Sequence, residues 1–578
     1  MLAAKNRNLR SILAGLIVRL AGLAVICALI GMFVQMVSVA YPILAPSTLA
    51  PLTSSLDDFR SGQLLEEGYA LDATRGVSFS VAGDWSLEGK SGEPWFWVNS
   101  LTGFRIENTD LPTRWTAASA VGINRGVAIA NADGLISHHH FLASTLPGDA
   151  PSSARAEQID ISLSVVSMAG HPRLAVAAVV SSPSTLTIVD FRNPQAQLTY
   201  PLADDASGLY WESPTKLRVF AGSIAEDFQF TTTDIGGAWS RLINPVHYEG
   251  YSAPNYLWLP LPASEEAEPK YSIAPLLFGT LKAASLALLI GAPVSLGAAI
   301  YVGFFMSQAQ RGRIRPAIDM LTAFPTVVLG AIGLFWIAPV FETVLAALLG
   351  VVILFPVLIT LGVFAMRGVG LRIVRLDALD DWPLKLIPLV SVVLATSAWA
   401  GMSVAASLPG GSLNAYLQQH GITIAYFNSL LVGLILGLAI TPTIFSVAEE
   451  AIHSVPKNLA AGALALGSTP WQSYRDIVLP LALPGMIAAV MIGFGRAAGE
   501  TMILLMLSGN TGIIDMSVFE GLRSVSASLA LELPEAPKNS SHYYVLFVMG
   551  LMLFGVTFVV NTLAELIKDS VRAKTRGG

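Results

Sequence analysis

Apolar and polar positions separate along this chain into long apolar runs and one extended stretch of mixed composition. A helix rises about 1.5 Å per residue, so about 20 apolar residues cross a hydrocarbon layer about 30 Å thick. About eight stretches reach that length. They run from about Leu20 to Val39, Gly279 to Met306, Pro316 to Ala338, Thr343 to Met366, Leu386 to Ala406, Ile424 to Ala448, Leu481 to Leu507 and Tyr544 to Ile567. The pattern predicts an all-α polytopic membrane protein. The first run has the alternative of a signal peptide, but it is long and no small-residue cleavage site stands before Tyr41 and Pro42, which favours an uncleaved anchor.

Between the first and second runs, from Tyr41 to about Pro275, the pattern changes to short β-branched segments bounded by Gly, Pro, Asn or Asp. Leu174 to Val180, Leu186 to Phe191 and Leu217 to Ala221 read as strands with turns between them. Thr187-Ile188-Val189-Asp190-Phe191-Arg192-Asn193 resembles a propeller blade, yet no fixed-period repeat is visible, so a propeller-like fold and a sandwich both remain open. The organisation expected is therefore residues 1–41 as a cytoplasmic segment with the first span, 42–275 as a β-rich insert, and 276–578 as the membrane domain, with a cytoplasmic loop at about 449–480.

Composition agrees with a membrane chain: of 578 residues, 53% are hydrophobic and 13% charged, against about a quarter charged in soluble domains. The net charge of -6 comes without a polybasic block, so nucleic-acid binding has no basis. The one cysteine, Cys27, excludes an intrachain disulfide and a Cys-based metal site. Basic residues mark the cytoplasmic side. Lys5, Arg7 and Arg10, then Arg311, Arg313 and Arg315, then Arg367, Arg372 and Arg375, then Lys457 and Arg475, and finally Lys568, Arg572, Lys574 and Arg576 all fall on one side if there are eight crossings. Both termini are then cytoplasmic and the insert is periplasmic.

Two features of the insert invite chemistry. His138, His139 and His140 place two imidazoles on one strand face, but no Cys or acidic cluster completes a metal set, and an exposed polar strand is the expectation. Trp85, Trp95, Trp97 and Trp115 could stack a sugar; domain core is the plainer reading. No metal is expected.

In the membrane half, Ala460 to Gly467 followed by Ile477-Val478-Leu479-Pro480 reads as a short helix, a turn and a second short helix, either a connecting loop or a docking knob. Gly495-Arg496-Ala497-Ala498-Gly499-Glu500-Thr501-Met502 then sets two ionisable side chains inside an apolar run, at about 2.5 to 3.5 kcal/mol each on the insertion scale. Four residues apart on a helix, Arg496 and Glu500 share a face and are able to pair. Such a pair either locks helix packing or lines an anion path, where the guanidinium grips an oxyanion in bidentate fashion.

The Gly467 to Ile477-x-Leu479-Pro480 spacing resembles the EAA loop of ABC-importer permeases, with Ala461 where that family commonly has Glu. The run Gly495 to Met502 with Gly509-Asn510 resembles the signature of the phosphate-uptake permeases, the Pst type. Lys270-Tyr271-Ser272, Gly279-Thr280-Leu281-Lys282 and Phe324-Pro325-Thr326-Val327-Val328 are similar to the PstC type more than to the PstA type, and one span pair is extra to the six-span members. The resemblance implies an ABC-importer permease fold and phosphate as cargo. It implies a substrate path with Arg496, Glu500 and Thr501, and an ATPase coupling loop with Ala461, Gly462, Gly467, Ile477, Leu479 and Pro480. It further implies a bacterial inner-membrane location among lipid, a PstA-like second permease, a PstB-like ATPase dimer and a PstS-like periplasmic binding protein. No G-x-x-x-x-G-K-[ST] loop occurs, so ATP is expected to be used by the partner and no cofactor by this chain.

Two other classes compete. A membrane-anchored sensor would need an output module, and only a short tail follows the last span. A membrane glycosyl transferase would need clustered acids or histidines at a span end, for which Asp380 and Asp381 are the one pair.

Overall fold

The computed structural model describes residues 2–45, 47–52, 77–80, 85–122, 126–142, 152–193, 197–221, 224–230, 238–246, 248, 251, 253–260, 269–368 and 382–576. Asp380 and Asp381, with Arg372 and Arg375, lie outside them. The chain forms two compact units, one of Met1–Ala274 with Ala536–Val548 and one of Pro275–Glu535 with Met549–Gly578.

Among the described residues the first unit contains the helix Leu2–Leu44 and four four-stranded antiparallel sheets. Three sheets use strands consecutive in the chain. The fourth takes its outermost strand, Leu49–Leu52, from the start of the insert and pairs it with Ile224–Phe230 from the end. Successive sheets share apolar layers: Trp97 and Leu87 meet Val127 and Ile129, Val165 and Met168 meet Ile136 and Ile159, and Val180 and Leu186 meet Leu209 and Val219. This radial stacking explains why Val176–Ser182 is buried almost throughout: its two faces cover two different layers. The arrangement is propeller-like rather than a two-sheet sandwich.

The alternation in Trp95–Asn99 turns Trp95 and Trp97 inward. With Trp85 and Trp115 they are buried core, 0 to 8% exposed, and no face is left for a sugar. The histidines correct the expectation of an exposed strand. His138, His139 and His140 sit in Leu135–Leu142 between Gly126–Ala130 and Ser152–Asp160 and are at most 2% exposed. Imidazole is flat enough to pack as an aromatic: His138 stacks on Phe191 at 4.5 Å and meets His140 edge-on at 4.4 Å. Among the described residues no three His, Cys, Asp or Glu groups are placed to hold a metal.

Among the described residues seven helical runs are long and apolar enough to cross a membrane: Val18–Leu44, Ala274–Phe305, Thr326–Gly362, Pro388–Ser407, Ser429–His453, Pro470–Gly499 and Ser541–Ile567. The two stretches expected at Pro316 to Ala338 and Thr343 to Met366 join here. Pro339 and Glu342 look like a break, but a 3-10 turn at Ala338–Val340 carries the helix through, since proline in the first turn lacks only an N–H that needs no partner. The joined run of 37 residues is about 55 Å long if straight, well beyond one hydrocarbon thickness. Cys27 is exposed on the first run.

The second unit packs around Ser429–His453, which is flanked by Ala274–Ile300 and Leu479–Gly499. Small side chains let the backbones approach: Gly291 and Gly437 face each other, and Ala283, Ala284, Ala287, Ala489 and Ala498 fill the seams. Outward, Leu289, Val294, Phe335 and Trp336 are exposed, as lipid-facing positions require.

Candidate functional site

The helix Leu479–Gly499 stops just beyond Arg496. Glu500 takes extended angles (φ −67°, ψ 131°), Thr501 follows, and Met502–Leu507 starts a new short helix. This break undoes the pairing that the spacing allows, because residues four apart share a face only while the helix continues. Among the described residues Arg496 and Glu500 form no ion pair. Nη1 of Arg496 instead donates to Oγ1 of Thr443 on Ser429–His453. A guanidinium carries five N–H donors, and no other protein partner for it exists among the described residues. The cation lies in the last turn, where the partial negative end of the helix favours it.

The break is held from several sides. Ser526 Oγ donates to the Glu500 carbonyl at 2.7 Å. Ser526 belongs to Val525–Glu532, whose first N–H donates to Thr280 Oγ1 at 3.0 Å, and Ser524 caps that helix by accepting from Ala527 N. On the other side of Arg496, Asn561 of Ser541–Arg576 lies so close that a Cβ on Gly495 would stand 2.5 Å from its Oδ1. Only glycine allows that approach. Thr501 Oγ1 reaches the Gly499 carbonyl at 3.4 Å, and its own carbonyl accepts from Leu505 N at 2.8 Å. After Met502–Leu507 the chain turns at Gly509 and Asn510, both at positive φ, and runs back so that Leu522 N donates to the Ser508 carbonyl at 2.9 Å. Lys282 fastens this returning segment through Nζ to the carbonyls of Asp515 (2.8 Å) and Ser517 (2.6 Å). A half-buried cation with spare donors, beside a hydroxyl and a break between two helices, is chemistry suited to an oxyanion.

The second cluster was not visible as such in the sequence. Glu449 is wholly buried; Arg311 Nε and Nη2 both reach its Oε1 at 2.5 Å, and Arg315 Nη1 stands 3.3 Å from Oε2. Arg311 also meets the His453 ring at 2.6 Å, and Asp319 accepts from Ser446 Oγ at 2.6 Å. Two of the three arginines counted as loop charges thus pin Gln308–Leu321 to the far end of Ser429–His453.

That end leads directly into the hairpin. Lys457–Ala465 is followed by Gly467 at φ +91°, then Thr469 caps Pro470–Ser473 in a reciprocal box with Gln472, and Tyr474–Val478 passes into the long helix. Ala461, Gly462 and Gly467 are exposed, as are Leu459, Leu464, Trp471 and above all Leu466 at 92%. Ile477 and Leu479 are half-buried and Pro480 exposed, whereas Tyr474 and Val478, which the spacing did not single out, anchor the hairpin in the core. The result is an exposed knob with an apolar tip.

Residues 383–573 match the family model described as "Binding-protein-dependent transport system inner membrane component". The phosphate transport system permease protein PstC of Haemophilus influenzae is 29% identical over 306 residues, 53% of this chain and 78% of that protein. PstC of Mesorhizobium japonicum is 27% identical over 304 residues, 53% and 75%. The probable ABC transporter permease protein YqgH of Bacillus subtilis is 25% identical over 295 residues, 51% and 71%. Among solved structures, an inward-facing MetNI methionine ABC transporter overlaps 51% of this chain and 94% of its own at 13% identity and a TM-score of 0.28, too slight a likeness to argue from.

Proposed function

We infer that the chain is the membrane-spanning permease subunit, PstC type, of a binding-protein-dependent ABC importer that carries inorganic phosphate across the inner membrane. Arg496 carries this inference: a cation in an apolar unit, not paired with its carboxylate neighbour across a helix break, keeps most of its donors for a tetrahedral oxyanion. Glu500 and Thr501, at the break itself, complete the path. The carboxylate opposes the bound anion and so hastens its departure once the path opens inward. The chain is a transport protein, not an enzyme, and ATP is hydrolysed in a separate subunit.

The partners are an ATPase and a substrate-binding protein; in finer terms, a PstB-like ATPase dimer, a PstS-like phosphate-binding protein and a PstA-like second permease. The exposed hairpin from Lys457 to Ser473 seats in the ATPase and transmits its closure through Ser429–His453 and Leu479–Gly499. Ala461 stands where the resembled loop commonly has Glu, so apolar contact through Leu466 and Leu464 supplies the grip.

For the topology we favour eight crossings. Arg311 lies at the Glu449 end of Ser429–His453, whereas Glu342 Oε2 accepts from Asn414 Nδ2 (2.7 Å) close before the Asn428 end. One crossing therefore lies between Arg311 and Glu342. The helix Phe341–Gly368 then runs antiparallel to Trp382–Ser407, with Gly350 beside Ser397 and Gly401, and Gly362 beside Leu389. Counted as two crossings that meet at Ala338–Val340, the joined run is consistent with both termini in the cytoplasm and the β-rich insert in the periplasm.

The deciding experiment is uptake of labelled inorganic phosphate into proteoliposomes that hold the permease with its partners. ATP-dependent phosphate uptake that sulfate does not inhibit is expected; transport of a different oxyanion in its place, or none, would refute the assignment.

A further inference from the structure

We propose that Thr443 is a second oxyanion-binding residue of the path, with Arg496 holding its hydroxyl in the donating orientation; this rests on the assignment of Arg496 made above. Hydroxyls in apolar helices ordinarily satisfy themselves on the carbonyl one turn back. Thr280, Ser295, Thr441, Ser446, Ser397 and Thr557 do so here, on Leu276, Gly291, Gly437, Pro442, Val393 and Leu553. Thr443 does not. Its oxygen accepts from Arg496 Nη1, and among the described residues its own O–H has no acceptor. A hydroxyl that accepts on one side has its proton left to give on the other.

Proline at position 442 and Thr443 sit midway along Ser429–His453, directly across from the last turn of Leu479–Gly499. The pair therefore holds, in direct contact, one O–H and the remaining guanidinium N–H groups without a protein acceptor among the described residues. This donor set fits a compact tetrahedral oxyanion, which offers oxygens in several directions at once. An apolar solute has nothing to gain there.

The test uses the whole transporter reconstituted with its ATPase and binding protein, and inorganic phosphate as the probe. Thr443→Val keeps the shape and removes the hydroxyl, so uptake per assembled transporter should fall about tenfold, the equivalent of about 1.4 kcal/mol. ATP hydrolysis should persist, so phosphate moved per ATP falls as well. Thr443→Ser restores the hydroxyl and should return uptake to within about twofold of the parent. Parent-level uptake in Thr443→Val, or a Thr443→Ser as poor as the valine variant, would overturn the proposal. If the valine variant fails to assemble, Thr443→Ala takes its place with the same two outcomes. Arg496→Lys run in parallel separates the two levels: if it transports like the parent, the assignment of Arg496 itself fails, and if it alone is impaired, only the role of Thr443 fails.

Discussion

The carboxylate of Glu449, wholly buried, receives both Nε and Nη2 of Arg311 at 2.5 Å. Such a contact is less a source of net stability than a liability when half of it is lost, because removing one partner strands the other charge. Glu449→Ala leaves the buried Arg311 guanidinium without its carboxylate and should cost about 3 to 5 kcal/mol. Thermal unfolding of the detergent-purified permease should show a large drop in melting temperature, with little folded protein recovered from membranes. An unchanged melting temperature would mean that the cluster is solvated and does not pin the two helices.

At Gly467, φ is +91°, a backbone conformation that side-chain-bearing residues rarely adopt. Gly467→Leu should distort the hairpin tip while leaving the buried anchors Tyr474 and Val478 in place. Membrane levels should stay near normal, and co-purification of the ATPase and phosphate uptake should both fall by at least about tenfold. Normal co-purification would remove the hairpin from the coupling contact.

His171 in the insert is held neutral. Burial pushes its pKa down from 6.5 to about 4, against the pull of the Pro214 carbonyl that its Nε2 bonds at 2.8 Å, while Nδ1 accepts from Arg173 N and Leu174 N. Between these two pH values the unfolded chain binds the proton and the folded one does not. Stability from this site is therefore complete above pH 6.5 and is lost as pH falls toward 4, by about 3 kcal/mol in all. Hydrogen exchange of the Ser164–Gly170 and Val176–Ser182 strands in the full chain should quicken from pH 7 to pH 5 after correction for intrinsic rates. In His171→Gln the extra acceleration should vanish; if it persists, another group is responsible.

The single cysteine makes topology directly measurable. In a Cys27→Ser background, Asp381→Cys should react with an impermeant thiol reagent only from the cytoplasmic side, and Ser412→Cys only from the periplasmic side. Labelling of both from one side would leave Phe341–Gly368 outside the bilayer and reduce the crossings.

These features were unequally legible in the sequence. Span existence was, because apolar length alone decides it, and so were strands such as Thr185–Asp190, whose β-branched run ends in turn residues. The join at Ala338–Val340 was not, because Pro339 is compatible with a first helical turn as well as with a loop. His138 to His140 were misjudged since polarity scales do not register how well imidazole stacks. Arg496 and Glu500 were found as residues but not as a geometry: spacing assumes a continuous helix, and it ends between them at Gly499. Glu449 and Thr443 are not legible as site residues because their partners lie 138 and 53 residues away in the chain.

Transport by Arg496 variants bears most directly on the central claim. Arg496→Lys keeps the charge but replaces the planar fork by a point donor, so uptake of labelled phosphate per unit of folded permease should drop at least about tenfold at normal abundance. Glu500→Gln, which no ion pair protects, should also assemble normally and slow uptake. A merely structural arginine would behave otherwise: Arg496→Lys would keep full transport, and any loss in Arg496→Met would track the amount of folded protein. Impaired uptake at normal abundance is the result predicted; full uptake in Arg496→Lys would contradict the assignment of Arg496 to the path.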